Sequence, residues 1–442
     1  MNMQAIRHQL TASDQYQKLV SLPHFTYNQA NMFNKLSTEP YKGTRDLYPE
    51  DMAVQQYMFA TWSRTAELYG FERYDASILE PAELYRSKTS EEIVNEQTYT
   101  FIDRGKREVT LRPEMTPTAA RMVARKRREL SFPLRWYSIP NLFRYERPQR
   151  GRLREHWQLN CDIFGSEHYT ADVEIIALAH SVLASFGATD DMFEIRINDR
   201  SWIEGKLRSI GLDDAGVREM FTLLDKKEKI DNFEEAAEKI VGNAFKLAFD
   251  DPEPDSNIRK VMDGLKALGI ENVKLVPSVV RGFEYYTGTV FEVFDTSPEN
   301  NRSILGGGRY DNLTAHFGGD AIPGVGFGFG DVTLRDFLET HGLLTAGITA
   351  PTVMILPTDP DLAIEAEKIA QVFRENEVST AVDMSDRKIG KKISAASDAL
   401  VEYVLVLGED EIASQIYTLK NLADGNEKGG DVHALVEHLS DR

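Results

Sequence analysis

The hydrophobic pattern along the chain changes period several times, and each change marks an expected element. From Pro49 onward, Met52, Tyr57, Trp62 and Leu68 recur at roughly helical spacing and Gly70 supplies a stop, which predicts an amphipathic helix. A strand is expected over 71–79, ending at Pro81. Residues 98–111 read as a hairpin, with Tyr99 and Phe101 alternating, a turn at Arg104-Gly105-Lys106, and Val109 and Leu111 returning. Helical pattern resumes over 118–130. The most informative pair of expected strands is 134–147 and 155–164, joined by Pro148-Gln149-Arg150-Gly151-Arg152. In the second, Trp157, Leu159, Cys161 and Ile163 share one face and Gln158, Asn160 and Asp162 the other, because side chains alternate along a strand. Arg144 and Glu146 likewise share a face of the first. A sheet with one wet side gives this pattern, and so does the floor of a cleft.

Residues 200–272 are charged and helix-prone, 233–247 being an example, with Asp251-Pro252-Glu253-Pro254 as a break. They predict an inserted helical module. Strand patterns return at 274–280 and 289–295. Gly306-Gly307-Gly308 precedes Arg309-Tyr310-Asp311, and Gly324, Gly326, Gly328 and Gly330 then interleave with Val325, Phe327 and Phe329. Glycine at every second strand position clears one face, so that a flat ligand can lie against the backbone or strands can pack closely. After Gly347 the short apolar runs 353–356, 381–384 and 403–407 are separated by helical stretches at 361–375 and 388–399. That alternation predicts an α/β domain with a largely parallel sheet. Residues 1–38 are polar and weakly patterned and are expected to form a loose extension, or to precede a start at Met32.

Length and charge narrow the picture. A chain of 442 residues is long enough for two or three domains. No apolar stretch approaches the ~20 residues needed to cross a bilayer, so no membrane association is expected. The single cysteine, Cys161, allows neither an intramolecular disulfide nor a cysteine metal cluster, and fits a reducing cytoplasm. It falls on the apolar face of its strand and reads as a buried thiol. A net charge of -19 argues against nucleic acid only on average, because binding needs a local basic patch. One is present between residues 121 and 154, where only Glu129 and Glu146 oppose a dense set of arginines and lysines. The phosphate-binding loop GxxxxGK[ST] is absent, no HExxH spacing suggests metal ligation, and the Gly324–Gly330 alternation is no dinucleotide fingerprint.

The segment 142–155, with Arg144, Glu146, Arg147, Gln149 and Arg152, together with Gly326, Gly328 and Gly330, resembles motifs 2 and 3 of the class II aminoacyl-tRNA synthetases. The helix, strand and Pro81 upstream resemble motif 1, the dimer-forming element. Segments 280–292 and 306–311 resemble the two histidine-specific signatures, and Lys42-Gly43-Thr44-Arg45-Asp46 and 110–116 also match histidyl-tRNA synthetases. The resemblance runs in family order from about residue 40 to the end. It implies an α+β catalytic core over 39–340, an antiparallel sheet flanked by helices. It also implies a helical insertion over 200–272, an anticodon-binding α/β domain over 350–442, and a homodimer.

The implied reaction joins L-histidine to ATP, with magnesium on the outer phosphates, and then passes histidine to tRNA(His). By this resemblance Arg144 bridges the two anions and Arg281 contacts the α-phosphate, so electrostatic stabilisation and positioning dominate catalysis. The histidine pocket takes in Met115, with Glu114, Thr116 and Gln158 around the α-amine. Asp162 and Tyr286 read the imidazole, and Tyr285 and Tyr310 line the pocket. Glu146, His156, Gly326, Gly328 and Gly330 belong to the ATP site. Arg147, Gln149 and Arg152 meet the tRNA, and Lys388, Lys391 and Lys392 offer phosphate contacts in the last domain. Three positions depart from the family pattern. Thr333 stands where motif 3 ends in arginine, with Arg335 two residues beyond. His156 stands where a phenylalanine faces adenine, and Asp162 replaces the glutamate of many bacterial members. The alternative is a catalytically silent paralogue, such as the regulatory subunit of ATP phosphoribosyltransferase.

Overall fold

The computed structural model describes residues 36–86, 97–225, 227, 230, 232–241, 252–281, 285–300, 302–344 and 350–440. The chain divides into two units, Met1–Tyr41 and Lys42–Arg442. In the first, residues 36–41 have no helix or strand, and nearly all of the extension expected over 1–38 lies outside the described residues. Every described helix and strand belongs to the second unit.

Helix α1 (Pro49–Leu68) forms where expected, with a proline in its first turn, where a missing N–H costs little, and Glu50 and Asp51 beside the positive helix end. Its buried row is Val54, Met58, Trp62 and Ala66, an i, i+4 series, whereas Leu68 is 76% exposed. In place of the strand expected over 71–79 there are two short ones, β1 (Glu72–Arg73) and β2 (Leu79–Pro81). Between them the buried Arg112 guanidinium donates to Asp75 at 3.0 Å and to the Ala76 carbonyl at 2.8 Å, which turns the chain from one sheet into another. The hairpin of β3 (Tyr99–Ile102) and β4 (Glu108–Leu111) joins β2 in a three-stranded sheet.

Helix α2 (Thr116–Lys126) leads to β5 (Leu134–Ser138) and β6 (Asn141–Phe143), which replace the single strand expected over 134–147. Pro140 has no N–H to give a ladder, so the strand breaks there and Arg144 and Glu146 lie on the loop beyond. Strand β7 (Glu155–Phe164) has the limits expected. After helix α3 (Thr170–Ser185) and β8 (Phe193–Asp199) come α4 (Arg200–Ser209), α5 (Asp214–Asp225), α6 (Phe233–Val241) and α7 (Asn257–Ala267). Helices α4 to α6 share a hydrophobic cluster of their own, while α7 sends Ile258, Val261 and Leu265 into the main core. Strands β9 (Val273–Leu275), β10 (Thr289–Asp295), β11 (Ser303–Arg309) and β12 (Gly324–Gly330) complete a nine-stranded sheet, ordered β1-β5-β7-β12-β11-β10-β8-β9 with β6 also on β7. Only the β1–β5 and β8–β9 ladders are parallel. Helix α8 (Asp331–Thr340) begins where β12 ends and buries Leu334, Phe337 and Leu338.

The C-terminal region holds β13 (Val353–Pro357), α9 (Ala363–Glu375), β14 (Thr380–Val382), α10 (Ile389–Asp398), β15 (Tyr403–Leu407), β16 (Tyr417–Asn421), β17 (Glu427–Gly430) and α11 (Val432–Ser440). Its five-stranded sheet is ordered β14-β13-β15-β16-β17, the first three strands parallel and the last two antiparallel, over a separate hydrophobic cluster. The closing hairpin was not expected because β16 offers only Tyr417 and Leu419 as apolar positions and β17 (Glu427-Lys428-Gly429-Gly430) offers none. No described helix is long and apolar enough to cross a membrane.

Candidate active site

The site begins with two neighbouring strands that divide their faces in the same way. Leu159, Cys161 and Ile163 of β7 and Val325, Phe327 and Phe329 of β12 all enter the main core. That leaves Gln158, Asn160 and Asp162 on the other face, beside Gly324, Gly326, Gly328 and Gly330. The glycines do not simply bare the backbone for a ligand. Tyr310 occupies the space over Gly324, Asp162 that over Gly326 and Gln158 that over Gly328, so a Cβ at any of these positions would collide. The empty face of β12 is filled by polar side chains borrowed from its neighbours.

Two adjoining cavities, of about 230 and 90 Å³, open on this face and share Arg144, Gln158, Arg281, Gly306 and Gly328. The smaller is lined further by Glu114, Thr116, Asn160, Tyr285, Tyr286, Tyr310 and Gly326. The Tyr285 hydroxyl donates to Glu114 at 3.0 Å, and the rings of Tyr286 and Tyr310 lie 4.8 and 5.9 Å from that of Tyr285. The loop carrying Glu114 is pinned from both sides, by Arg144 Nε on the Pro113 carbonyl at 2.8 Å and by the Tyr85 hydroxyl on the Glu114 carbonyl at 3.4 Å. Met115 is fully buried, its sulfur 3.8 Å from an Arg112 nitrogen, and supports the loop without lining either cavity.

Asp162 sits directly behind this wall, where it accepts a hydrogen bond from the Tyr310 hydroxyl on Oδ1. Its Oδ2 is buried without a partner. Burial pushes the Asp162 carboxyl up to about 7, against the opposing pull of the Tyr310 bond. Burial likewise raises the hydroxyls of Tyr285, Tyr286 and Tyr310, so all three remain neutral donors.

The larger cavity is bounded by Glu146, Gly151, Arg152, His156, Glu292, Gly330 and Thr333, among others. Arg281 stands where the two cavities meet, with a φ of 53°, a left-handed conformation that is uncommon for a side-chain-bearing residue and tends to mark functional sites. Its Nη1 donates to Glu292 at 3.0 Å, its guanidinium lies 5.8 Å from the Tyr286 ring, and its buried Nε has no partner. It crosses β11 over Gly306, where a Cβ would occupy the guanidinium's place. Arg144 and Arg152 approach Glu146 at 4.0 and 3.4 Å. Burial, then Arg144 and Arg45, push the His156 pKa down to about 3, so the ring is neutral. The Thr333 hydroxyl turns to the backbone, 2.8 Å from the Ile304 carbonyl and 3.0 Å from that of Gly330. Arg335 does not reach the cavity and pairs instead with Asp51 and Glu339.

Several expected residues are therefore placed differently. Gly326 borders the smaller cavity, not the larger. Of the residues expected to meet RNA, Arg147, Gln149 and Arg152 are all exposed, and Arg152 also borders the larger cavity. Much of the basic cluster is used internally, Arg121 on Glu80, Arg127 on Asp320, Arg135 on Glu174 and Arg150 on Asp336. Lys392 is 3% exposed and donates to the Pro357 carbonyl at 3.0 Å, which removes it from any phosphate, while Lys388 and Lys391 are exposed. Glu292 had no role assigned from sequence. Its signal was an acid at mid-strand among Val290, Phe291, Val293 and Phe294. Among the described residues no group of three or more histidine, cysteine or acidic side chains is gathered as for a metal. Gly282, Phe283 and Glu284, within a signature segment, lie outside the described residues.

A largely antiparallel sheet with an arginine on the loop before one central strand, and a glycine strand running into a helix beside it, is the arrangement of a class II aminoacyl-tRNA synthetase. Solved structures agree on the fold. A histidyl-tRNA synthetase from Nostoc sp. PCC 7120 superposes with a TM-score of 0.72 at 23% identity, covering 92% of this chain and 100% of that one. The apo S. aureus histidyl-tRNA synthetase gives 0.69 at 23% identity, covering 91% and 99%. The histidyl-tRNA synthetase family model matches residues 43–331, and an anticodon binding domain model matches 352–442. The histidine–tRNA ligase of Leptospira biflexa is 44% identical over 415 residues, 89% of this chain and 95% of the relative. That of Thermoplasma volcanium is 36% identical over 425 residues, 91% and 99% of the two chains. The chain belongs to the histidyl-tRNA synthetase family.

Proposed function

We propose that this chain is a histidine–tRNA ligase, in which the smaller cavity takes L-histidine and the larger takes ATP with its magnesium. A carboxylate oxygen of histidine attacks the α-phosphorus of ATP, pyrophosphate leaves, and a hydroxyl at the 3′ end of tRNA(His) then attacks the acyl carbon to release AMP. The observation that carries the reading is a pair of buried, unpartnered atoms: Asp162 Oδ2, behind the Tyr310 wall of the smaller cavity, and Arg281 Nε, on the residue where the two cavities meet. An acceptor without a donor suits an imidazole N–H. A donor without an acceptor suits a phosphate oxygen.

In this reading Arg144 and Arg281 hold the carboxylate and α-phosphate together and steady the charge that builds on phosphorus. Glu114, Thr116 and Gln158 take the α-amine, Asp162 and Tyr286 the imidazole, and Glu146 and His156 the adenine. Arg147, Gln149 and Arg152 face the tRNA acceptor end, with magnesium carried by the outer phosphates. The core over 39–340, the insertion over 200–272 and the anticodon-binding domain over 350–442 work as parts of a cytoplasmic homodimer. A catalytically silent paralogue would have no use for the charged lining of both cavities. The test is ATP–pyrophosphate exchange with each amino acid offered separately. Histidine alone should support it. Exchange with none would overturn the enzyme reading, and exchange with a different amino acid would overturn the choice of substrate.

A further inference from the structure

The family pattern expects an arginine at position 333, and Thr333 cannot replace it because its hydroxyl is committed to backbone carbonyls. Given the assignment of the larger cavity to ATP, on which the inference rests, we propose that Arg45 is a positioning residue for the nucleotide, tying the walls of its cavity together from outside.

The connection runs through Asp331, the first residue of α8. The β12 ladder on β7 ends at Gly330 opposite Gln158. Asp331 continues it with a side chain, since its Oδ1 accepts the Trp157 N–H at 2.9 Å. Trp157 adjoins His156, and Asp331 adjoins Val332 and Thr333; these three neighbours all line the larger cavity. One carboxylate thus joins two adjacent walls. It is 1% exposed, and burial pushes its pKa up, with Arg45 the main opposing influence. An anion so placed needs a counter-charge, which Arg45 supplies in a direct ion pair while lying 6.0 Å from the Trp157 ring centre.

The same segment reaches a third wall. The Gly43 carbonyl accepts the Arg154 N–H at 2.7 Å, and the Lys42 carbonyl accepts from the Arg154 side chain at 3.3 Å. Gly43 has a φ of 88°, and a Cβ there would press on Arg154 and Pro148 at 2.8 Å. Pro148 and Arg154 bracket the loop that contributes Gly151, Arg152 and Leu153 to the cavity. Residues 42–45 therefore form a strap from this loop to the start of α8.

The full-length Arg45→Met, Arg45→Lys and Gly43→Ala variants are to be compared with the wild type in histidine-dependent ATP–pyrophosphate exchange, with a thermal melt for each. Arg45→Met should raise the KM for ATP about tenfold or more and leave the KM for histidine within about twofold, since small misplacements act on the substrate whose walls have moved. Arg45→Lys should recover part of the loss. A folded Arg45→Met with an unchanged KM for ATP, or with both KM values rising together, would overturn the proposal. Should Arg45→Met fail to fold, Gly43→Ala, which leaves the ion pair intact, must show the same ATP-selective rise, and an unchanged KM for ATP there overturns it equally. Absence of exchange in the wild type overturns the ATP reading together with this one, whereas wild-type exchange with an unselective Arg45→Met overturns this one alone.

Discussion

Replacing Asp162 with asparagine should stabilise the empty protein at alkaline pH while ending its use of histidine. The carboxyl is 1% exposed, and burial lifts it from its ordinary 3.8 to about 7 although the Tyr310 hydroxyl pulls the other way. Between those values the folded protein keeps a proton that the unfolded chain has released, so stability falls as pH rises and stops falling above about 7. From pH 5 to pH 8 the wild type should lose about 2–3 kcal/mol on this account, at about 1.4 kcal/mol per pH unit. Asparagine has no charge and escapes the loss. Its amide leaves a buried N–H unpartnered, costing about 1–3 kcal/mol, but at every pH alike. The informative quantity is the stability of the variant relative to the wild type in urea titrations at pH 5 and pH 8. It should move in the variant's favour by about 2–3 kcal/mol as pH rises. A difference that stays constant, or moves the other way, would show that Asp162 is not an anion held at a cost, and would remove the ground for its role toward imidazole. Histidine-dependent exchange by the variant should be lost at both pH values.

Gly306→Ala places a Cβ where Arg281 lies, so both it and Arg281→Ala should lower the rate of adenylate formation about 10²–10³-fold, with histidine affinity changed only a few-fold. Exchange kinetics set against equilibrium dialysis of histidine will tell. His156→Phe keeps a neutral flat ring and should hold the KM for ATP within about threefold, while His156→Ala raises it about tenfold. Because His156 gains a proton only near pH 3, it should add no pH dependence to the KM for ATP between pH 5.5 and 8. Arg309→Met strands the buried Asp172, to which Arg309 donates at 2.6 Å, and should cost about 3–5 kcal/mol in urea unfolding.

What could be read from the sequence followed from periodicity and local chemistry. The limits of β7 were legible because its alternation is uninterrupted, and those of β10 and β15 because apolar runs end at polar residues or glycine. The strand over 134–147 was drawn too long because its apolar content runs on past Pro140 although the ladder cannot. The segment over 71–79 divides between two sheets because Arg112, remote in sequence, holds its middle. In the site, the resemblance to the synthetase motifs pointed to Arg144, Gln158 and Arg281, which the two cavities share. Their depth did not show. Asp162 and Met115 are behind the wall, because packing order depends on which side chains stand over which others. The basic cluster was visible as charge, yet four of its members, Arg121, Arg127, Arg135 and Arg150, answer carboxylates far away along the chain. No local window contains both halves of such a pair.

The glycine face of β12 has a consequence for how this pocket can change. Asp162 and Gln158, two of the side chains proposed to read the substrate, occupy room that β12 has left vacant, so under that proposal the capacity to discriminate belongs to pairs, Asp162 with Gly326 and Gln158 with Gly328. Adding a side chain at either glycine evicts the reader above it. Lengthening the reader demands room that only its glycine partner's strand could yield. Variation at a single position therefore meets loss of function before it reaches a new preference, and altered selectivity has to arrive through coordinated exchange on two strands.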